Sequence, residues 1–344
     1  MSEMIKRFDD AVADYLSELK NTGCSEKTVE NYGKGIKYFK TFWIDNCDAE
    51  SEPNVKAVRA WRDSMLEKGT SAKSVKQYMT RLKCFFTFAS NEDITGEAYF
   101  SCNPVIDKIF PKLKGEDTKP YEKVLTADDF MKLYRNECPK GFPKATWIRN
   151  YAVMMLLLDA KIRNAELLNL RMCDVHFADE DDPFNYIVVT RGKGNKYREV
   201  DLNEISVSAL LLYLKYGDRP QNLPEDAPLF GTTAEHKYGG KMTGAAEWHT
   251  GTADWLSKLV EGHVRRVTGK SGFRSHSMRH NGAIMELNNG TSLEQIQAEL
   301  GHSNVQTTQI YAGHLQSRRH RMDMRGVFTE RDAWAEKNMA LVGA

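Results

Sequence analysis

The chain has 344 residues, enough for two domains of ordinary size, and its 28% charged and 41% hydrophobic residues exclude a disordered chain. A formal net charge of +1 does not announce a nucleic-acid binder, so the distribution of basic residues must be read instead. The longest apolar run, 153–158, is far too short to span a bilayer, the N-terminal MSEMIKRFDDA has no signal-peptide core, and six cysteines without C-x-x-C pairing read as reduced thiols of a cytoplasm.

Residues 1 to about 110 read as helices only. Phe8, Val12, Tyr15 and Leu19 keep a helical period. Ser25 can cap a second helix, with Val29, Tyr32, Ile36, Phe39 and Trp43 along one face. Val58, Trp61 and Met65 mark a third helix, and Val75, Met79, Leu82 and Phe86 a fourth. The second helix carries Lys27, Lys34, Lys37 and Lys40; between 68 and 83 stand Lys68, Lys73, Lys76, Arg81 and Lys83 with no acidic residue. Such runs are ordinary solvated faces or faces that contact phosphates. The stretch 111–124 holds two prolines, a glycine and seven charges and reads as a linker, here bounded at 116–124.

Thr126 with Asp129 at N3 looks like a capped helix start, and 147–158 like a buried helix. Then come Arg163 and Glu166, three apart as in a surface ion pair, beside Leu167, Leu168 and Leu170. Residues 186–190 (YIVVT) and 197–202 (YREVDL) read as two strands joined by the turn RGKGNK, whose Lys193 by itself is a solvent-exposed turn lysine. GKGNK lacks the GxxxxGK[ST] pattern, so no nucleotide site is expected. Helices are expected at 204–216 and at 253–267, the latter with Trp255, Leu259 and Val267 inward, with a less regular stretch between them. The whole is mainly α with a small β-sheet.

The stretch 273–314 carries the chemistry. Ser275 can cap a helix that starts at His276, placing His276 and Arg279 on one face as a donor cluster for an oxyanion. Gly290 can end that helix, and Ser292 with Gln295 can box the start of the next, whose Ile296 and Leu300 face inward. Gly301 ends it and delivers His302; Tyr311 follows. His276 and His280 have metal-ligand spacing, but no HExxH pattern or third ligand follows, so no metal is expected. After a basic segment, Thr329 and Asp332 suggest a capping box for a short helix from Glu330 with Trp334 and Leu341 on an apolar stripe.

The ordered set H-x-x-R, then G-H-S, then Tyr resembles the tyrosine recombinases of the phage-integrase and Xer type, whose H-x-L-R-H and L-G-H-x-x-x-x-T-x-x-Y motifs it follows, with Met278 for the usual Leu and Asn281 for a usual Thr or Ser. The family's first catalytic Arg lies in T-G-x-R-x-x-E-L, which Arg163 and Glu166 fit, although Ala160-Lys161 replaces the usual Thr-Gly. Its catalytic Lys commonly lies in G-K-G-N-K, the position of Lys193, with Lys196 the nearby alternative.

The resemblance, over about 5–325, implies a helical core-type DNA-binding domain at 1–115, an α+β catalytic domain at 125–327, and a C-terminal helix at 328–344 that docks on its own domain or is exchanged between protomers. No room is left for an arm-site domain in front. It implies a site-specific recombinase with Arg163, Lys193, His276, Arg279 and His302 around a phosphodiester, Tyr311 as nucleophile and Glu166 in support. The intermediate is a 3′-phosphotyrosine, so no ATP, metal or other cofactor is needed. Lys27, Lys34, Lys37, Lys73, Lys76 and Arg81 are the expected phosphate contacts. The expected partners are double-stranded DNA with specific recombination sites, three further protomers on synapsed DNA where a Holliday junction forms, and DNA-bending or directionality factors. The free protein is expected as a monomer or weak oligomer, in a prokaryotic cytoplasm or nucleoid and on no membrane. Two alternatives stay open: a non-cutting DNA-binding regulator on the same fold, and an enzyme of the type IB topoisomerase or telomere-resolvase kind.

Overall fold

The computed structural model describes residues 2–112, 123–189, 197–233, 248–301 and 322–343. The chain divides into two compact units, Met1–Asp117 and Thr118–Ala344. Among the described residues no helix is long and apolar enough to cross a membrane.

The described part of the first unit is built on helices α1 (Glu3–Asn21), α2 (Glu26–Asn46), α3 (Val55–Glu67), α4 (Ala72–Ala89) and the single turn α5 (Glu92–Thr95). Short polar side chains start them by accepting otherwise unpaired amides. Ser25 Oγ takes the Thr28 N–H at 3.2 Å, and Asn54 Oδ1 takes those of Lys56 and Ala57 at 3.0 and 3.1 Å. The periodic apolar positions then meet: Phe8, Ile36, Phe39, Val58, Val75, Met79, Leu82 and Phe86 are completely buried. Phe8 stacks on Trp43 at 5.5 Å and meets Phe86 edge-on at 6.1 Å, each large ring contributing roughly 1.5–3 kcal/mol by burial.

In the second unit, α6 (Ala127–Tyr134) begins with the expected capping box: the Thr126 N–H donates to Asp129 Oδ2 at 2.7 Å, and the Asp129 N–H to Thr126 Oγ1 at 3.3 Å. α7 (Lys144–Leu158) is buried on every side from Tyr151 to Leu158 and packs against α9 (Glu204–Tyr216) and α11 (Ser275–Asn288). The short α8 (Asn164–Asn169) follows it. Strands β1 (Val175–His176), β2 (Tyr186–Val189) and β3 (Arg198–Asp201) form an antiparallel sheet in that order, with Tyr186 opposite Asp201 and Val189 opposite Arg198. A second pair, β4 (Gly231–Thr233) with β5 (Trp248–Thr250), lies where the sequence shows no strand period. α10 (Ala253–Thr268) turns Leu256, Leu259, Val260 and Val264 into the core; Trp255 and Val267, expected inward, are only half-buried. α12 (Leu293–Leu300) starts with the Ser292–Gln295 box and ends at Gly301, whose φ of +57° suits glycine.

Two further local expectations are corrected. Ser275 does not cap α11: it is the first helical residue and is buried, while Ser277 Oγ accepts the Arg274 N–H at 3.2 Å. The C-terminal helix, α13, runs Arg325–Val342, so it begins before Glu330 and spans the expected 327/328 boundary. Thr329 lies inside it, its Oγ1 donating to the Arg325 carbonyl at 3.0 Å. The physical reason is long-range. Val327, Trp334, Ala335 and Asn338 form the buried stripe, which lies on α9 and α6 of the same unit; Leu341 is exposed. Arg135 Nε pairs with Glu330 Oε1 at 2.8 Å, and Asn338 Nδ2 donates to Tyr151 Oη at 3.3 Å. An exchanged helix would have to leave that face.

Candidate active site

The site grows from one close approach. Gly282 of α11 rests on the last turn of α7, where a Cβ would stand 1.9 Å from the Leu158 carbonyl oxygen. Only glycine admits that approach. It sets α11, with His276 and Arg279, beside the chain leaving α7, which carries Lys161 and Arg163.

Lys161 turns that chain with a φ of +51°, the one positive value among the described non-glycine residues, at a position where the family resembled usually has glycine. Its side chain is tied down on every side available: Nζ donates to the Asp159 carbonyl at 2.8 Å, pairs with Glu299 Oε2 at 2.9 Å and lies 3.8 Å from Glu286 Oε1. Its own carbonyl accepts from Arg279 Nη1. Left-handed backbone strains a residue with a Cβ by roughly 1–2 kcal/mol. We therefore expect Lys161→Gly to be less destabilising than Lys161→Ala by about 1 kcal/mol, because both lose the ion pairs and only glycine relaxes the backbone. Urea unfolding of the two variants checks this; equal losses would show that the backbone there is unstrained.

Arg163 stands immediately before α8. Glu166 Oε2 accepts its amide at 2.7 Å, and Glu166 Oε1 accepts from Nη1 at 2.6 Å. Arg163 Nη2 donates to the carbonyls of Leu300 and Gly301 at 3.1 and 2.8 Å. Arg279, almost wholly buried, donates from Nη2 to the same Leu300 carbonyl at 2.5 Å. Two arginines far apart in sequence thus converge on the end of α12, where carbonyls lack intrahelical donors and the helix dipole is negative. His276 lies one turn before Arg279, its Nε2 2.9 Å from His280 Nε2, so one ring donates to the other. His276 keeps an exposed face, but partial desolvation of its ring, then the Arg279 and Arg163 charges, hold its pKa below the usual value, favouring the neutral ring. Burial works to raise the Glu166 pKa, but the Arg163 amide and the charges of Arg198 and Arg163 outweigh it and keep the carboxylate ionised.

The structure therefore brings Arg163, Glu166, His276 and Arg279 together. Lys193, Lys196, His302 and Tyr311 lie outside the described residues. A cavity of about 460 Å³ beside Lys161 is no phosphate site, since Asp159, Glu199, Asp201, Glu286 and Glu299 line it. Among the described residues no cluster of His, Cys, Asp and Glu could hold a metal. The sequence reading missed Arg198, whose guanidinium also reaches Glu166. Its signal was available: in YREVDL, Arg198 alternates onto the same face as buried Val200.

In the first unit, Lys27, Lys34, Lys37, Lys73 and Lys76 are exposed. Glu30 sits between Lys27, at 2.8 Å, and Lys34, which tempers that end of α2. Arg81 lies over the Tyr78 ring at 5.7 Å and beside Gly35.

The model of the phage integrase family matches residues 123–318, and that of the phage integrase N-terminal SAM-like domain matches residues 12–93. The chain is 26% identical over 310 residues to the tyrosine recombinase XerD of Listeria monocytogenes serotype 4b, covering 88% of this chain and 93% of that protein. It is 29% identical over 320 residues to the tyrosine recombinase XerC of Corynebacterium efficiens, covering 92% and 89%. The fold is similar to that of the XerH site-specific recombinase bound to a palindromic difH substrate (TM-score 0.60, 19% identity, 87% and 79% covered). It is also similar to that of a lambda integrase dimer bound to a COC′ core site (TM-score 0.60, 17% identity, 92% and 96% covered).

Proposed function

The chain belongs to the phage integrase family and is a site-specific recombinase, an enzyme that cleaves and rejoins DNA; from that premise we propose that Tyr311 is its nucleophile, with Arg163, Lys193, His276, Arg279 and His302 around the scissile phosphate. The observation that supports this best is the meeting of Arg163 and Arg279 at the carbonyl end of α12, one residue before His302, with the His276 ring near enough for both charges to favour its neutral form.

In the proposed reaction the Tyr311 phenol oxygen attacks phosphorus and the P–O5′ bond breaks. The phenol proton passes to a neutral imidazole, His276 or His302, and Lys193 gives a proton to the leaving 5′ oxygen. The two guanidinium groups bind the non-bridging oxygens, whose charge grows in the transition state. The 3′-phosphotyrosine keeps the energy of the broken bond, so a 5′-hydroxyl of another strand reverses the step without ATP. Four protomers on two synapsed sites would exchange one strand pair, pass through a Holliday junction and exchange the second, in a prokaryotic cytoplasm or nucleoid.

The test is a duplex nicked close to the cleavage point, which loses a short fragment on attack. A denaturation-resistant adduct that then joins a second duplex is the expected outcome. No adduct would leave a DNA-binding regulator, and an adduct that joins no second duplex would leave a relaxing enzyme.

The exposed lysines of α4 are proposed to grip phosphates. Replacing Lys73 and Lys76 together with alanine should weaken half-site binding and lower the salt slope by about one unit per lost contact. Weaker binding at an unchanged slope, in a gel-shift titration at several salt concentrations, would assign the loss to folding.

A further inference from the structure

Arg198, the first residue of β3, joins three elements. Its Nη2 donates to Glu166 Oε2 at 2.6 Å and its Nη1 to the Glu299 carbonyl at 3.0 Å. The Glu166 side chain is only 1% exposed, and the Arg198 side chain 19%. The guanidinium also lies against Gly301, where a Cβ would stand 3.4 Å from both Arg198 Cδ and Nε. Its Nε is buried with no hydrogen-bond partner among the described residues, so the side chain is held by its two terminal nitrogens and by packing.

We infer that Arg198 is a positioning residue for DNA cleavage, acting on Arg163 through Glu166. This rests on the reading that Arg163 binds the scissile phosphate. Glu166 Oε1 takes Arg163 Nη1, while Oε2 is divided between the Arg163 amide and Arg198 Nη2. A buried carboxylate with an underused oxygen draws the nearest guanidinium into a two-pronged pair. With Arg198 gone, that guanidinium is Arg163, and it would turn off the Leu300 and Gly301 carbonyls toward Glu166. Arg198 shares the second oxygen with the Arg163 amide and so leaves the Arg163 guanidinium bound to the carboxylate by one nitrogen only. A planar fork is needed because the same group must reach the Glu299 carbonyl on another element, which an ammonium cannot do in the same geometry.

The experiment compares the wild type, Arg198→Ala, Arg198→Lys, Glu166→Gln and the double variant Arg198→Ala/Glu166→Gln. Each is read by half-site affinity and by the single-turnover rate of covalent adduct formation on the nicked duplex at saturating protein. Arg198→Ala should bind DNA as the wild type does and form adduct roughly 10²-fold more slowly, the effect expected of a displacement of about 1 Å at the reacting groups. Arg198→Lys, which keeps the Glu166 contact, should recover at least a tenth of the wild-type rate. In the Glu166→Gln background, Arg198→Ala should cost little more, since both act on the same arginine.

Wild-type adduct formation by Arg198→Ala, a lysine variant no faster than the alanine one, or effects that multiply in the double variant would each overturn the inference. If Arg198→Ala fails to fold, the lysine variant decides: it should melt with the wild type and cleave at an intermediate rate. If the wild type itself forms no adduct, it is the proposed function that fails.

Discussion

Tyr311→Phe is expected to bind its DNA site with wild-type affinity and to form no covalent adduct at all. The substitution keeps the ring and removes only the hydroxyl, so a loss confined to chemistry identifies the nucleophile. A phenol with its ordinary pKa near 10 is a poor nucleophile at neutral pH and needs a base close by. His276 is the proposed acceptor: partial desolvation of its ring and the charges of Arg279 and Arg163 favour its neutral form. The measurement is denaturing electrophoresis of the nicked-duplex reaction beside a gel-shift of the same preparation. An adduct that persists in the phenylalanine variant moves the nucleophile to another residue.

The second large effect is expected at Lys193. If its ammonium protonates the leaving 5′ oxygen, Lys193→Ala should slow cleavage of an ordinary substrate by roughly 10²-fold or more. A 5′-bridging sulfur leaves well without a proton, so on that substrate the variant should cut nearly as fast as the wild type. The comparison is internal to one protein, which removes folding and binding differences from the reading. Equal slowing on both substrates would give Lys193 another task and make Lys196 the residue to test.

The two arginines show how far short-range patterns carry. The three-residue spacing of His276 and Arg279 places them on one helical face, and Glu166 three after Arg163 closes onto its amide and guanidinium as helix geometry allows. Those are properties of one turn of chain, and a sequence displays them directly. That both arginines end on the Leu300 carbonyl is not such a property. It needs α11 seated on α7 at Gly282 and the end of α12 brought against Arg163 and Arg279, contacts between segments with no shared period.

By itself, then, the sequence determined most of the helices, the caps at Ser25, Thr126 and Ser292, the two paired strands, and the order of chemically able residues that marks the family. These follow from forces acting within a few residues: backbone hydrogen bonding, side-chain capping and periodic burial. The tertiary structure decided what depends on distant partners. It set Lys161 in a left-handed turn held by Asp159, Glu286 and Glu299, and it placed Arg198 on Glu166. It also began α13 at Arg325, because Val327 finds its burial in the unit's core rather than in its own helix. Burial and charge compensation are free energies of a surface closing on another surface, and no local stretch of chain contains both.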